Sequence, residues 1–344
     1  MVELLRKWAV IWKMLCFAIL LLVCAEVITR IYLTSPSNQI YDARLGFVYQ
    51  PDSVLFNASE GGAHLRLNHL GLNTDPIRPK EGRRRVWFLG DSITQAAQVP
   101  RHENFCSLLM KERPDLQAIN GGRSDAGPLE YLEIYRRLKA DIQADVVAIV
   151  LTDGDLADMK RAKYDLSRNK DHEIEDVQLH ASARQRLKNM VQPLISRSAL
   201  ATHLMRRAKP LITQGGEIEF KETQITTSQV ANGDQITIEL LSYIIKTISK
   251  DQKTFVIHIP NISYEKNRRA SVSPSSLQAT RIFNAAATNS GTNLITLDTP
   301  FIESYRQCGQ PGHGFMNAVI GAGHINALGH AAVAKHLGGA LSGN

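Results

Sequence analysis

The stretch that decides the fold runs Val86-Trp87-Phe88-Leu89-Gly90-Asp91-Ser92-Ile93-Thr94. Its four apolar residues predict a buried strand, and the glycine after them predicts a sharp turn. A serine just beyond such a turn, at the start of a helix, is placed for nucleophilic attack and not for packing. Ser92 is therefore the candidate nucleophile, and Asp91 beside it is a candidate supporting residue.

Strand and helix patterns alternate from this stretch to the end of the chain. Predicted strands cover residues 86–89, 117–120, 145–151, 254–259 and 293–297. Predicted helices cover residues 104–112, 129–138, 236–250, 275–289 and 327–341. This alternation predicts an α/β fold, namely a doubly wound parallel sheet of about five strands with helices on both faces.

The N-terminal segment is mostly apolar over residues 8–33, and residues 14–25 carry no charge. We interpret residues 1–35 as a single membrane-spanning anchor, because Lys13 and Arg30 at its flanks can reach the headgroups. The basic residues before the apolar core favour a cytoplasmic N-terminus. The rest of the chain would then face the periplasm or exterior from the inner membrane. A cleaved signal peptide and a buried helix of a soluble protein are the alternatives.

Two further regions follow from the composition. Residues 36–85 are rich in turn formers and predict an extension packed on the main domain, which spans residues 86–344. Residues 160–232 are highly charged and interrupt the alternation. Helical patterns at 183–191 and 199–207 predict a helical insertion after the strand at 145–151. It is a candidate lid over the site or, alternatively, a solvated pair of surface helices.

Bulk properties exclude several classes of protein. The net charge is +7, but no nucleic-acid-binding motif accompanies it, and Arg83-Arg84-Arg85 is interpreted as a solvated strand entry. The four cysteines include no CxxC pair, so Cys106 and Cys308 are either buried thiols or one isolated bridge. There is no phosphate-binding loop, dinucleotide glycine motif, Gly-x-Ser-x-Gly elbow or metal-ligand spacing. We therefore expect no cofactor, no metal and no nucleic-acid partner.

Three more motifs stand where this fold would bring them near Ser92. Asn120-Gly121-Gly122-Arg123 follows the second strand, and a glycine there lets a backbone N–H approach closely. Thr152-Asp153-Gly154-Asp155 follows the third strand. Gly323-His324-Ile325-Asn326 opens the last helix, where a histidine can act as a base.

Together these blocks resemble the SGNH/GDSL hydrolases, in particular membrane-anchored bacterial members. The resemblance implies that Ser92 is the nucleophile, that His324 is the general base, and that Ser92 and Gly122 contribute oxyanion N–H groups. Gly154 stands where the family has an oxyanion asparagine, and Asp155 matches the aspartate after it. The aspartate that usually precedes the histidine is replaced by Gly321 and Ala322. Asp298 is a candidate substitute, although it is also read as a helix cap.

The sequence thus predicts an envelope-anchored serine esterase acting on O-acyl groups of glycans or lipids through an acyl-serine intermediate. An O-acyltransferase of the same fold is one alternative. The other is a catalytically weak protein that binds a glycan or organises an assembly, an alternative that the missing asparagine and aspartate motivate.

Overall fold

The computed structural model describes residues 2–32, 38–56, 60–180, 198–204 and 227–341. The strands are β1 (Gln39–Asp42), β2 (Gly46–Tyr49), β3 (Val54–Phe56), β4 (His64–Arg66), β5 (Arg84–Gly90), β6 (Leu116–Gly122), β7 (Val146–Thr152), β8 (Tyr164–Arg168), β9 (Ile174–Leu179), β10 (Lys253–Ile259), β11 (Ile262–Tyr264), β12 (Ala270–Val272) and β13 (Leu294–Thr296). The helices are α1 (Val2–Tyr32), α2 (Ser92–Gln95), α3 (Phe105–Glu112), α4 (Pro128–Ile142), α5 (Gly154–Arg161), α6 (Thr227–Ser249), α7 (Pro274–Asn289), α8 (Asp298–Cys308) and α9 (Ala327–Ala340).

Five parallel strands form the central sheet in the order β13–β10–β7–β5–β6, which confirms the predicted doubly wound fold. The chain moves from β5 to β6 on one side and then returns to place β7 on the other side of β5. The strand order therefore reverses between β5 and β7. In such sheets the crevice beyond the carboxyl ends at this point is where ligands bind. The two strands deliver Ser92 and Gly154 to that crevice.

The core lies on both faces of this sheet because successive strand residues point to opposite sides. On β5, Trp87 and Leu89 pack with α4, α6 and α7, whereas Val86 and Phe88 pack with α3, α8 and α9. All four side chains are fully buried. Burial on both faces explains why β5 and β7 appear in the sequence as continuous apolar runs.

The extension consists of two short hairpins, β1–β2 and β3–β4, and packs against the turn after β6. Arg123 makes this attachment: its guanidinium donates to the carbonyls of Leu45 and Phe47 and lies 4.7 Å from the centroid of the Phe47 ring. A buried cation thus joins the hairpin β1–β2 to the turn after β6.

The insertion differs in its first part from the predicted helices. Residues 164–179 form the antiparallel hairpin β8–β9, and residues 199–204 are helical. The helix predicted at 183–191 lies outside the described residues, whereas α6 begins at Thr227, nine residues before its predicted start. The hairpin forms because Tyr164 and Leu166 on β8, and Val177 and Leu179 on β9, alternate with polar residues, which is a strand period.

Helix α1 is long and apolar enough to cross a membrane: the most apolar 18-residue stretch of its segment Arg6–Tyr32 has a mean hydropathy of 2.3. A signal sequence would have the same length and composition. The far end of the helix is tied to the insertion, since the Glu26 carboxylate accepts the Ser198 hydroxyl and the N–H groups of Ala199 and Leu200.

A buried histidine in α9 makes stability depend on pH. His330 is 1% exposed, stacks on Phe105, and has no hydrogen-bond partner on either ring nitrogen. Burial lowers the pKa of His330 from 6.5 to about 3. Below pH 6.5 the His330 side chain of the unfolded chain therefore binds a proton, whereas the buried side chain in the folded chain does not. The free energy of unfolding is therefore highest above pH 6.5 and decreases as the pH falls towards 3.

We expect His330→Phe to flatten this acid dependence, by up to about 1.4 kcal/mol for each pH unit below 6.5. Urea unfolding of the full-length protein in detergent micelles, measured at about pH 7.5 and about pH 4.5, gives the two free energies of unfolding. His336→Phe is the control, because His336 is exposed on the same helix. Equal acid dependence in wild type and His330→Phe would contradict this account.

Candidate active site

The nucleophile candidate is positioned by the turn between β5 and α2. Asp91 caps the helix by accepting the Ile93 N–H at 2.8 Å. Ser92 is the first helical residue, so its own N–H has no acceptor within the helix and remains available as a donor. The turn requires a glycine at position 90, because a Cβ on Gly90 would lie 2.1 Å from the Thr94 hydroxyl.

The histidine candidate meets this serine directly. His324 lies just before α9, whose first turn is capped by the Asn326 side chain. Its Nε2 is 2.8 Å from Ser92 Oγ, and its side chain is 27% exposed. The structure thus brings together two predicted residues that are 232 positions apart in the sequence.

A glutamate from the extension completes the arrangement. Glu60 Oε2 is 2.5 Å from His324 Nδ1, and Glu60 Oε1 accepts the backbone N–H of His324 at 3.1 Å. A carboxylate can only accept hydrogen bonds, so Nδ1 carries the proton and Nε2 is left to accept the Ser92 hydroxyl proton. This is the tautomer that a serine nucleophile needs.

The position of Glu60 depends on the glycine that follows it. Gly61 has φ +76°, and a Cβ there would lie 2.0 Å from the Gln98 carbonyl oxygen. The Gly61 N–H donates to Asn317 Oδ1, which lies in the loop before His324. Sequence reasoning missed Glu60; the Gly61-Gly62 pair marked a turn there, but nothing local indicated what the turn contacts.

Asp298, the substitute considered from the sequence, and Asp153, which precedes Gly154, lie elsewhere in the fold. Asp298 is the first residue of α8, and His324 Nδ1 has Glu60 as its carboxylate partner. Asp153 accepts hydrogen bonds from His258 Nε2 at 3.0 Å and from Asn261 Nδ2 at 2.9 Å. Burial alone would raise the pKa of Asp153, but the hydrogen bonds it accepts hold that pKa below its usual value. Asp153 therefore joins β7 to β10.

The half-buried Asp91 and the fully buried Asp155 lie next to the nucleophile. Asp91 Oδ2 accepts the Thr152 hydroxyl at 2.9 Å, while Asp155 accepts the Thr152 N–H and the Tyr131 hydroxyl, each at 2.6 Å. Burial raises the pKa of Asp91, and burial together with the charge of Asp91 raises the pKa of Asp155 well above its usual range. Through these contacts Asp91 joins α2 to the end of β7, and Asp155 joins the end of β7 to α4.

The candidate oxyanion groups differ in availability. The Gly122 N–H donates to Asn120 Oδ1 at 3.0 Å, so it is not free to hold an oxyanion in this arrangement. Gly154 is exposed at the start of α5 and offers only backbone groups. The Ser92 N–H, on the first residue of α2, is the best-placed donor.

A cavity of about 660 Å³ opens beside His324. Its lining includes Tyr264, Tyr305 and residues 320–323, together with polar groups of Asn261 and Lys266. Within the described part of the chain, no group of three or more His, Cys, Asp or Glu side chains could hold a metal ion.

No family model and no curated protein matches this chain. Solved structures do match. LAE5, an α/β hydrolase enzyme from the metagenome of Lake Arreo, is 14% identical and covers 75% of this chain and 95% of its own, with a TM-score of 0.42. A G-D-S-L family lipolytic protein from Veillonella parvula is 11% identical; the match covers 73% of this chain and 94% of that protein, with a TM-score of 0.36. A catalytic mutant of the acetylxylan esterase Axe2 from Geobacillus stearothermophilus is 12% identical; the match covers 75% of this chain and 94% of that protein, with a TM-score of 0.37. The chain therefore has structural matches among SGNH/GDSL-type esterases at low identity, and its chemistry is inferred below from its own residues.

Proposed function

We propose that this chain is a serine esterase or acyl-transfer enzyme in which Ser92, His324 and Glu60 act together. The observation that carries the proposal is the continuous series of contacts from Ser92 Oγ to His324 Nε2 and from His324 Nδ1 to the Glu60 carboxylate. A nucleophile, a base and a group that orients the base are the three parts that serine catalysis requires.

In the first step His324 Nε2 takes the Ser92 proton while Oγ attacks the acyl carbonyl carbon. The carbonyl oxygen gains the negative charge, and the Ser92 N–H stabilises it at the start of α2. The C–O bond to the leaving alcohol then breaks, and His324 returns the proton to that alcohol. Glu60 stabilises the histidine cation throughout.

The acyl-serine is then resolved by a second attack. His324 takes a proton from water or from a hydroxyl of an acceptor, whose oxygen attacks the acyl carbon. The bond between Ser92 Oγ and the acyl carbon then breaks, and His324 returns the proton to Oγ. Water gives hydrolysis, and a sugar hydroxyl gives acyl transfer. We propose the O-acyl groups of glycans or lipids outside the membrane as substrates, with α1 as the anchor of the chain. The two tyrosines and the polar groups of the cavity suit a polar acceptor.

Turnover of a water-soluble acetyl ester by the full-length protein in detergent micelles tests the proposal. We expect acetate release, and a shift of the acetyl group onto an added oligosaccharide would identify the transfer reaction. Folded protein that neither releases acetate from any short ester nor transfers its acetyl group to an oligosaccharide would overturn the enzyme proposal. That result would favour the alternative of a glycan-binding or assembly protein. The hydrogen-bonded Gly122 N–H and the missing asparagine would then explain the absence of catalysis.

Gly323 tests whether the position of Glu60 matters. A Cβ on Gly323 would lie 2.8 Å from Glu60 Oε1, so Gly323→Ala must displace the carboxylate. A displacement of about 1 Å costs on the order of 100-fold in rate, and relief of this contact needs a shift of a few tenths of an ångström, so we expect a loss of about 10-fold in kcat for the acetyl ester.

Gly321→Ala is the matched control for this change. Both glycines have φ +87°, so both substitutions carry the same backbone strain, but a Cβ on Gly321 makes only ordinary contacts, with Tyr264 at 3.5 Å and Pro311 at 3.8 Å. Equal losses in the two variants would show that strain, and not the displacement of Glu60, is responsible.

A further inference from the structure

Large apolar side chains are exposed in the loop that precedes His324. The exposed fractions are 90, 63 and 60% for Met316, Val319 and Ile320. The loop has a defined shape, since the Gly321 N–H donates to the His313 carbonyl. Exposed apolar side chains grouped in one ordered segment indicate an interaction surface.

A basic turn lies next to this loop. The connection between β11 and β12 carries three exposed cations, Lys266, Arg268 and Arg269, and one exposed acid, Glu265. Arg268 donates to the Gln307 carbonyl, so its guanidinium is partly engaged. Lys266 and Arg269 remain as exposed charges at the tip of the hairpin.

The loop and the turn are two walls of the same cavity. Ile320 and Gly321 line it on one side, and Tyr264 and Lys266 line it on the other. The cavity wall ends at Gly323, directly before His324. We call Met316, Val319, Ile320, Lys266 and Arg269 the apolar–basic rim. Ile320 and Lys266 of this rim line the cavity, so a molecule bound to the rim lies beside the cavity that reaches Gly323.

The length of the chain between α1 and Glu60 limits the distance of the candidate active site from the end of α1. Six residue steps separate Tyr32 from Asn38, which is at most about 21 Å. The Asn38 side chain donates to the Val54 carbonyl, and Val54 is again six steps, at most about 21 Å, from Glu60. Because Glu60 contacts His324, the site lies within about 50 Å of the helix end.

We propose that the apolar–basic rim docks on the anionic surface of the bilayer in which α1 is anchored, so that the ester reaches Ser92 from the lipid surface. The inference rests on the proposed membrane anchor and deepens the proposed function by naming a membrane-bound ester as substrate. Apolar side chains that enter the headgroup region, next to cations that pair with anionic lipids, are what interfacial binding requires.

Hydrogen–deuterium exchange on the full-length protein in nanodiscs tests this docking. Nanodiscs of phosphatidylcholine with phosphatidylglycerol should protect the peptides over 314–323 and 265–270 more than nanodiscs of phosphatidylcholine alone. The double variant Met316→Asp/Val319→Asp should lose this protection. Leu277→Asp, which alters an apolar side chain that is 52% exposed on α7, is the control and should keep it.

The charges are tested separately. Each basic residue near an anionic surface changes the binding equilibrium about fivefold, so Lys266→Ala and Arg269→Ala together should reduce docking about 25-fold. Lys335→Ala, an exposed lysine on α9, is the matched control.

The proposal would be overturned if deuterium uptake by the rim peptides is the same with and without phosphatidylglycerol. Protection that survives the double aspartate variant would also overturn it, since lipid would then not be held by the apolar side chains. Protection that is lost equally in Leu277→Asp would also contradict it. Deuterium uptake needs no turnover, so failure of docking and failure of the esterase proposal are observed independently.

Discussion

Ser92→Ala abolishes turnover of the acetyl ester. With the nucleophile removed, neither His324 nor the N–H group at the start of α2 can form the acyl-enzyme. Removal of the nucleophile from an efficient serine hydrolase costs about 10⁶-fold in kcat. We expect a loss of 10⁵-fold or more here, measured as acetate release under saturating ester.

Ser107→Ala provides the control for this loss. Ser107 lies in α3 and takes no part in the contacts of the candidate site, and its N–H, not its hydroxyl, is engaged by Asn104. Its removal should leave kcat within a factor of two. Residual turnover by Ser92→Ala near the wild-type rate would mean that another group performs the reaction.

Glu60→Gln is expected to reduce kcat about 10⁴-fold, as a wrong histidine tautomer does in serine hydrolases. The backbone N–H of His324 can only donate, so it holds the amide oxygen of the new side chain. The amide NH₂ is then left facing Nδ1, which must accept. The ring proton consequently moves to Nε2, and Nε2 can no longer take the proton of Ser92.

Two further variants separate this tautomer effect from loss of charge. Glu81→Gln removes an exposed carboxylate from the same extension and should leave kcat unchanged. In Ser92→Ala, addition of Glu60→Gln should cost almost nothing more, because residues that act as a unit are not additive. A Glu60→Gln variant with wild-type kcat would show that His324 needs no carboxylate.

The fold was predictable because its signals are local. The strand into Gly90-Asp91-Ser92 and the continuous apolar run of β7 each follow from residues that are neighbours in the sequence. The hairpin β8–β9 carried the same kind of signal, but the density of charge around it favoured a helical interpretation. Its alternating Tyr164 and Leu166 would have corrected that interpretation.

The site was predictable only in part, for the same physical reason. Ser92 and His324 stand in recognisable blocks, whereas Glu60 is 264 positions from its partner and lies in a separate hairpin. Gly122 was identified from the sequence, but its availability was not. A glycine indicates close approach of the backbone, whereas the sequence does not show that its N–H donates to Asn120 Oδ1. Hydrogen bonds between distant segments are set by tertiary packing.

The central claim is that Ser92 is an activated nucleophile, and peptide mass spectrometry after reaction with a fluorophosphonate tests it most directly. We predict one phosphonate adduct, on Ser92, in the full-length wild-type protein, and much slower modification of Glu60→Gln. Folded protein that takes up no phosphonate, or that carries it on another hydroxyl while Ser92 stays unmodified, would contradict the account.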